Sequence, residues 1–183
     1  MIYFVRHGQT DLNLYAKGKL DSLGHFEWFH GMIDIDLNQT GIMQAQEMAK
    51  KLNGVVFDKC FCSPLKRTRQ TCEIIFKGEI VFDDRLLERH HGEFEGKRNC
   101  DYDYDAFWNL NKQTFEKGES IADVEKRVFE FLDEIISLYP YKNILLVSHG
   151  GVARLVLSYF NGKPMDGDYT CFKIGNAELL TFN

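Results

Sequence analysis

The chain has 183 residues, 44% hydrophobic and 27% charged, the balance of a folded globular chain rather than a disordered one. A formal charge of -5 gives no global attraction to nucleic acid or anionic membranes, so any anion site must be local. No apolar stretch approaches the roughly 18 residues of a membrane span, and the N-terminal run meets Arg6 and His7 too soon for a signal peptide. Cys60, Cys62, Cys72, Cys100 and Cys171 are odd in number and lack metal-ligand spacing. They read as reduced structural thiols in a cytoplasmic protein.

Ile2-Tyr3-Phe4-Val5 is a short apolar run that suits a fully buried strand. An irregular segment follows from Gly8 to about Leu37. Asn38 caps a predicted helix from Gln39 to Leu52, whose apolar positions Ile42, Ala45, Ala49 and Leu52 keep helical spacing. Lys59–Cys62 reads as a second strand. Ser63-Pro64 then predicts a helix start, with a capping hydroxyl and proline in the first helical position, running to about Phe76. Ile80–Phe82 is a third, short strand.

The stretch from Asp84 to Gly118 is polar, aromatic and punctuated, with a short helix expected over Tyr104–Leu110. Within it, Asp101-Tyr-Asp-Tyr-Asp105 lacks the turn and closing glutamate of a calcium loop and reads as exposed acidic surface. Ser120 and Asp123 form a capping box for a helix with Ile121, Val124, Val128, Phe131, Leu132 and Ile135 on one face. Asn143–Val147 is a fourth buried strand. A helix follows His149-Gly150 and closes at Asn161-Gly162. Thr170–Lys173 and Glu178–Phe182 read as a final strand pair, whose edges leave room for a homodimer. Strands alternating with helices imply one α/β domain over 1–183, a three-layer α/β/α sandwich on a mostly parallel sheet.

Strand exits carry the chemistry. Arg6-His7-Gly8, Ser63-Pro64-Leu65-Lys66-Arg67 and Ser148-His149-Gly150 each follow a strand, and ligands of open α/β sheets bind beyond those carboxyl ends. Guanidinium groups match phosphate oxygens in planar pairs, and a neutral imidazole is a competent nucleophile toward phosphorus. Glu88, after the third strand, is the candidate proton donor, since a bound phosphate anion favours a protonated carboxyl beside it.

These residues resemble the histidine phosphatase superfamily, also called the phosphoglycerate mutase-like family. Its signature matches Arg6-His7-Gly8-Gln9-Thr10 with Asn13 following, and Gly31, Asp34, Leu37, Gly41 and Gln44-Ala45 fit the next stretch. Ser63 to Arg67 with Gln70-Thr71, the block Glu88, Gly92, Phe94, Glu95 and Gly96, and Val147 to Gly151 complete the set in order. The resemblance spans nearly the whole chain and implies a phosphoglycerate mutase-like fold with His7 as the phosphorylated residue. It also implies that Arg6, Arg67 and His149 bind the phosphoryl group, that Asn13 and the Gly150 N–H assist, and that Glu88 donates the proton.

No cofactor or metal is implied. Arg69 rivals Arg67, but helical spacing turns the two to different faces. The segment 14–30 is longer than in compact relatives. With His25, Phe26, Trp28, Phe29 and His30 it reads either as a wall of the substrate pocket or as a self-packed loop. His90 and His91 are read as substrate contacts or solvated loop residues, Phe107 and Trp108 as core or pocket lid. A mutase would need basic residues in the central insertion, and residues 101–118 hold no arginine. The expected activity is therefore hydrolysis of a small phosphorylated metabolite through a phosphohistidine, with mutase transfer as the alternative and a silent binding module as the rival class.

Overall fold

The structure is a computed structural model that describes residues 1–14, 28–98, 101–111 and 117–183. Among these residues, five strands form one sheet: β1 (Ile2–Arg6), β2 (Lys59–Cys62), β3 (Val81–Phe82), β4 (Ile144–Ser148) and β5 (Leu179–Phe182), in the order β3-β2-β4-β1-β5. β1 and β2 flank β4 in parallel, β3 runs parallel to β2, and only β5 lies antiparallel, against β1. The helices are α1 (Asp11–Leu14), α2 (Gln39–Lys51), α3 (Lys66–Ile75), α4 (Tyr104–Phe107), α5 (Ile121–Leu138) and α6 (Gly150–Asn161).

Because strand side chains alternate between faces, each apolar run feeds two cores. Phe4, Phe61, Ile144 and Leu146 join a core with α5 and α6, whereas Val5, Cys60, Leu145 and Val147 join one with α2 and α3. The chain is therefore a three-layer α/β/α sandwich, and β4 is buried along its whole length because helices cover both of its faces. Cys60, Cys62 and Cys72 are buried free thiols of the second core. Cys100 lies outside the described residues.

Local signals set most helix ends. Asn38 Oδ1 accepts the Gly41 N–H at 2.9 Å, and Ser120 with Asp123 forms the complete capping box. The start of α3 differs from the sequence expectation. Ser63 does not cap it: the helix begins at Lys66 behind Leu65, and the Lys66 N–H is satisfied by Asp34 Oδ1 at 2.7 Å. A tertiary carboxylate caps this helix and releases the Ser63 hydroxyl for other use.

Two further expectations are corrected. α4 stops at Phe107 because the backbone of the next residues pairs across to the C-terminal segment, with Tyr169 N–H on the Trp108 carbonyl at 2.8 Å and Leu110 N–H on Gly167 at 2.9 Å. Thr170–Lys173 is not a strand. Tyr169–Cys171 is a 3-10 turn opened by Asp168, which accepts the Thr170 N–H, and the carbonyls nearby serve arginine side chains rather than a ladder. Among the described residues, no helix is long and apolar enough to cross a membrane.

Phe131, fully buried and edge-on to Phe61 with ring centroids 5.4 Å apart, is central to the first core. Phe131→Ala should lower unfolding free energy by about 3–5 kcal/mol and Ser120→Ala by about 1 kcal/mol. Urea denaturation measures both, and equal losses would contradict this division between core and cap.

Candidate active site

β1, β2 and β4 end at the same edge of the sheet, and the loops leaving them close a pocket of about 60 Å³. Arg6, His7, Arg67, Glu88 and Gly150 all line it. His149 stands behind them, its ring centroid 5.3 Å from that of His7.

His7 follows β1, where its N–H continues the ladder to the Ser148 carbonyl at 2.9 Å. Its Nδ1 lies 2.7 Å from the carbonyl oxygen of Gly8, an acceptor only, so Nδ1 carries the proton and Nε2 bears the lone pair. The exit loop packs tightly: the Gly8 N–H donates to Thr71 Oγ1 at 3.0 Å, and a Cβ on Gly8 would stand 2.5 Å from the Gly41 carbonyl oxygen. Glycine is required at that close approach.

His149 caps α6 by backbone geometry. Its Nε2 is 2.7 Å from Ser63 Oγ, the hydroxyl that does not cap α3. With Ser63 donating, the neutral ring is protonated at Nδ1, which has no acceptor among the described residues. Burial, followed by the Arg67 charge, holds the pKa of both His7 and His149 well below 6.5. Both rings are neutral at neutral pH.

Arg67 is wholly buried on the first turn of α3. Its Nη1 and Nη2 donate to the carbonyls of Ile33 and Gly31 at 2.7 and 3.0 Å, while Nε has no partner among the described residues. Burial lowers its pKa to about 10, so it stays charged. Arg6 donates from Nη1 to the Ile174 carbonyl at 2.8 Å. Arg69 is exposed, with its guanidinium over the Phe82 ring. The pocket arginine is Arg67.

Glu88 is buried, with Oε1 accepting the Arg89 N–H at 2.9 Å and Oε2 the Gly151 N–H at 3.0 Å. Arg127 fixes the backbone beneath it by donating to the carbonyls of Arg85, Leu87 and Glu88. Glu93 is exposed, and Glu95 braces two loops through the N–H groups of Met32 and His91, which leaves Glu88 as the carboxylate of the pocket. Asn13 does not line the cavity. Its Oδ1 accepts from Thr10 and Asn176, and its buried Nδ2 lacks a partner among the described residues.

The remaining wall comes from Trp28, Phe29 and His30, together with His91, Trp108 and Arg154. His25 and Phe26 lie outside the described residues. His90 is exposed beside Glu95, whereas His91 is buried against Phe29, and burial with the nearby Arg89 lowers its pKa to about 3. Phe107 and Trp108 are both buried, and Trp108 alone of the two reaches the pocket. Asp101 and Asp103 are exposed. Arg154 also lines the pocket, outside the strand-exit motifs. Its signal was the spacing from Gly150, one helical turn that returns the side chain to the same face.

This constellation decides the family. A family model described as Histidine phosphatase superfamily (branch 1) matches residues 2–183. The chain belongs to the histidine phosphatase superfamily. Within that superfamily it is 31% identical to a probable phosphatase of Schizosaccharomyces pombe, over 100% of this chain and 82% of that one. It is 32% identical to a putative phosphoserine phosphatase 2 of Hydrogenobacter thermophilus, over 88% and 78% of the two chains. Probable phosphoglycerate mutases match as well. Among solved structures, the phosphoserine phosphatase of Entamoeba histolytica in complex with 3-phosphoglyceric acid superposes with a TM-score of 0.79 at 27% identity, covering 97% of this chain and 87% of that one.

Three buried neutral histidines make stability depend on pH. In the unfolded chain His7, His91 and His149 take up protons near pH 6.5, and in the fold only far lower. Their contribution is complete above 6.5 and is lost as pH falls below it, by up to about 1.4 kcal/mol per histidine per pH unit. Denaturation at pH 7.5 and 5.5 should show that loss, and His91→Gln should flatten the slope. A pH-independent midpoint would contradict the burial of these rings.

Proposed function

We propose that the protein hydrolyses a small phosphomonoester through a phosphohistidine at His7. The observation that carries this reading is the Nδ1–H of His7 on the Gly8 carbonyl, which leaves an unprotonated Nε2 in a pocket shared with two guanidinium groups. Nε2 attacks phosphorus, the ester P–O bond breaks, and the electron pair leaves on the alcohol oxygen, which takes a proton from Glu88. The Glu88 carboxylate then accepts a proton from water, the water oxygen attacks phosphorus, and the P–N bond breaks to return His7 and release inorganic phosphate.

Arg6 and Arg67 hold the non-bridging oxygens, as do the Nδ1–H of His149 and the Gly150 N–H, while Asn13, set back from the cavity, acts by positioning the loop after His7 through Thr10 and Asn176. Positioning and electrostatic stabilisation supply most of the catalysis in such a transfer. The buried arginines gain strength from their low-dielectric setting. The substrate is a free metabolite, and the reaction is proposed to need neither metal nor cofactor. Among the described residues, no group of three or more His, Cys, Asp or Glu side chains is placed to hold a metal ion. A cytoplasmic setting fits the buried free thiols.

Mutase transfer is the weaker reading. Lys97 is engaged over the Phe94 and Tyr102 rings and Arg98 pairs with Asp101, so neither serves the pocket. Product analysis with a phosphorylated sugar acid separates the readings, because a hydrolase releases inorganic phosphate and a mutase returns an isomer.

With p-nitrophenyl phosphate labelled at phosphorus, the wild type should trap an acid-labile, alkali-stable phosphoenzyme and turn over fully in chelator. His7→Ala should do neither. Equal turnover by the two proteins, or strict metal dependence, would end this reading.

Gly151 supports the acid. A Cβ there would stand 2.6 Å from Trp108 Cη2 and collide with Glu88 Oε1. Gly151→Ala should lower kcat by roughly 100-fold through displacement of the proton donor. A steady-state assay checks this, and an unchanged kcat would refute the geometry.

A further inference from the structure

We infer that Cys60 and Cys72 are a redox site: hydrogen peroxide joins them in a disulfide, and the joined state slows turnover by shifting Thr71, which holds the backbone beside His7. The oxidation itself stands apart from the phosphatase reading, and only its effect on turnover rests on that reading.

Cys60 lies on β2 and Cys72 on α3, both wholly buried in the second core. Their sulfurs are in direct S–H···S contact at 3.3 Å. The third thiol of the cluster is engaged elsewhere, since Cys62 donates its S–H to the Ser63 carbonyl at 3.1 Å. Among the described residues the three make no metal-holding set, which leaves thiol chemistry. The two members of the pair differ. Giving its S–H to Cys72, with burial added, pushes the Cys60 thiol up, and accepting that hydrogen bond holds Cys72 below the usual thiol range. Cys72 is therefore the attacking sulfur and Cys60 the resolving one.

The Cys72 thiolate attacks one oxygen of the peroxide, the O–O bond breaks, and hydroxide leaves to take up the proton that Cys72 had released. The Cys60 sulfur then attacks the sulfenic sulfur, the S–O bond breaks, and the Cys60 proton departs with that oxygen as water. Two thiols are oxidised by two electrons, and one peroxide is reduced to two waters. Hydrogen peroxide is little larger than water. The cluster lies beneath half-buried Phe57, Ile75, Phe76 and Ile80, so a brief opening at the end of α3 admits it.

The coupling to the pocket runs through the neighbour of Cys72. Thr71 Oγ1 accepts the Gly8 N–H at 3.0 Å and donates to the Arg67 carbonyl at 2.7 Å, and the Gly8 carbonyl fixes the tautomer of His7. A sulfur–sulfur bond is about 2.05 Å long, so closing it draws α3 toward β2. A close-packed core transmits such a shift rather than absorbing it.

The test treats the whole protein with hydrogen peroxide and digests it with trypsin in the absence of reductant. Cleavage after Lys59, Lys66, Arg69 and Lys77 puts Cys60 in peptide 60–66 and Cys72 in peptide 70–77, and fragmentation of the joined pair assigns the link. The link should form, kcat for p-nitrophenyl phosphate should fall roughly ten-fold or more with it, and dithiothreitol should reverse both. Cys72→Ala, which removes the thiol of α3, should keep its turnover in peroxide. The ring nitrogen resonances of His7 should move as the link forms, a readout that needs no turnover. Thiols that stay unjoined in the wild type overturn the proposal without any variant. A link that leaves turnover and the His7 resonances unchanged also overturns it, as does a loss that persists in Cys72→Ala. Absence of turnover in the reduced protein defeats the hydrolase reading alone, because the link and the His7 resonances still decide this one.

Discussion

The hydrogen bond from His7 Nδ1 to the Gly8 carbonyl is the constraint on which the rest of the site depends. A free imidazole exchanges its proton between two nitrogens, and only one tautomer presents a lone pair at Nε2. Here the choice is made by the backbone of the adjacent residue, and the surroundings hold that backbone still. The Gly8 N–H is tied to Thr71 on α3, the His7 carbonyl receives the Ala177 N–H at 3.1 Å, and Gly8 lies against Gly41 at the start of α2. Three elements distant in sequence therefore fix one ring.

Burial of cations around that ring would be costly if their donors were left unmet. The fold meets most of them with backbone carbonyls rather than carboxylates. Arg67 uses Gly31 and Ile33, Arg6 uses Ile174, and Arg154 uses Tyr169. A carbonyl satisfies a donor without cancelling its charge, so the positive potential stays available to a phosphate. A carboxylate in the same places would neutralise it. The carbonyl-bearing loop at 31–37 is secured in turn by α3, through Asp34 on the Lys66 N–H and Gln70 on the Leu37 N–H.

The C-terminal segment has an unexpected part in this. Residues 167–178 pair with the turn after α4, supply carbonyls to two pocket arginines, and place Asn176 Nδ2 near Asn13. The guanidinium groups of Arg89 and Arg154 both lie over the Trp108 ring, 5.2 and 5.0 Å from its centroid, and the ring edge lies toward Gly151. The phosphate side of the pocket comes from strand exits that any such sheet brings together. The opposite side comes from this chain's own loops, and specificity belongs there.

The sequence by itself determined the layers, the strand exits and the residues Arg6, His7, Arg67, Glu88 and His149 as one group. Apolar runs of strand length, helical periodicity and caps such as Asn38 and Ser120 are local signals, and strand exits converge wherever a parallel sheet is wound from both sides. Only the tertiary structure decided where Ser63 points, that Asp34 caps α3, that residues 169–171 turn instead of pairing, and that Arg154 faces the pocket. Each of those outcomes turns on a partner far away in the chain, and a hydroxyl, a carbonyl or a guanidinium reads the same in sequence whichever partner it finds.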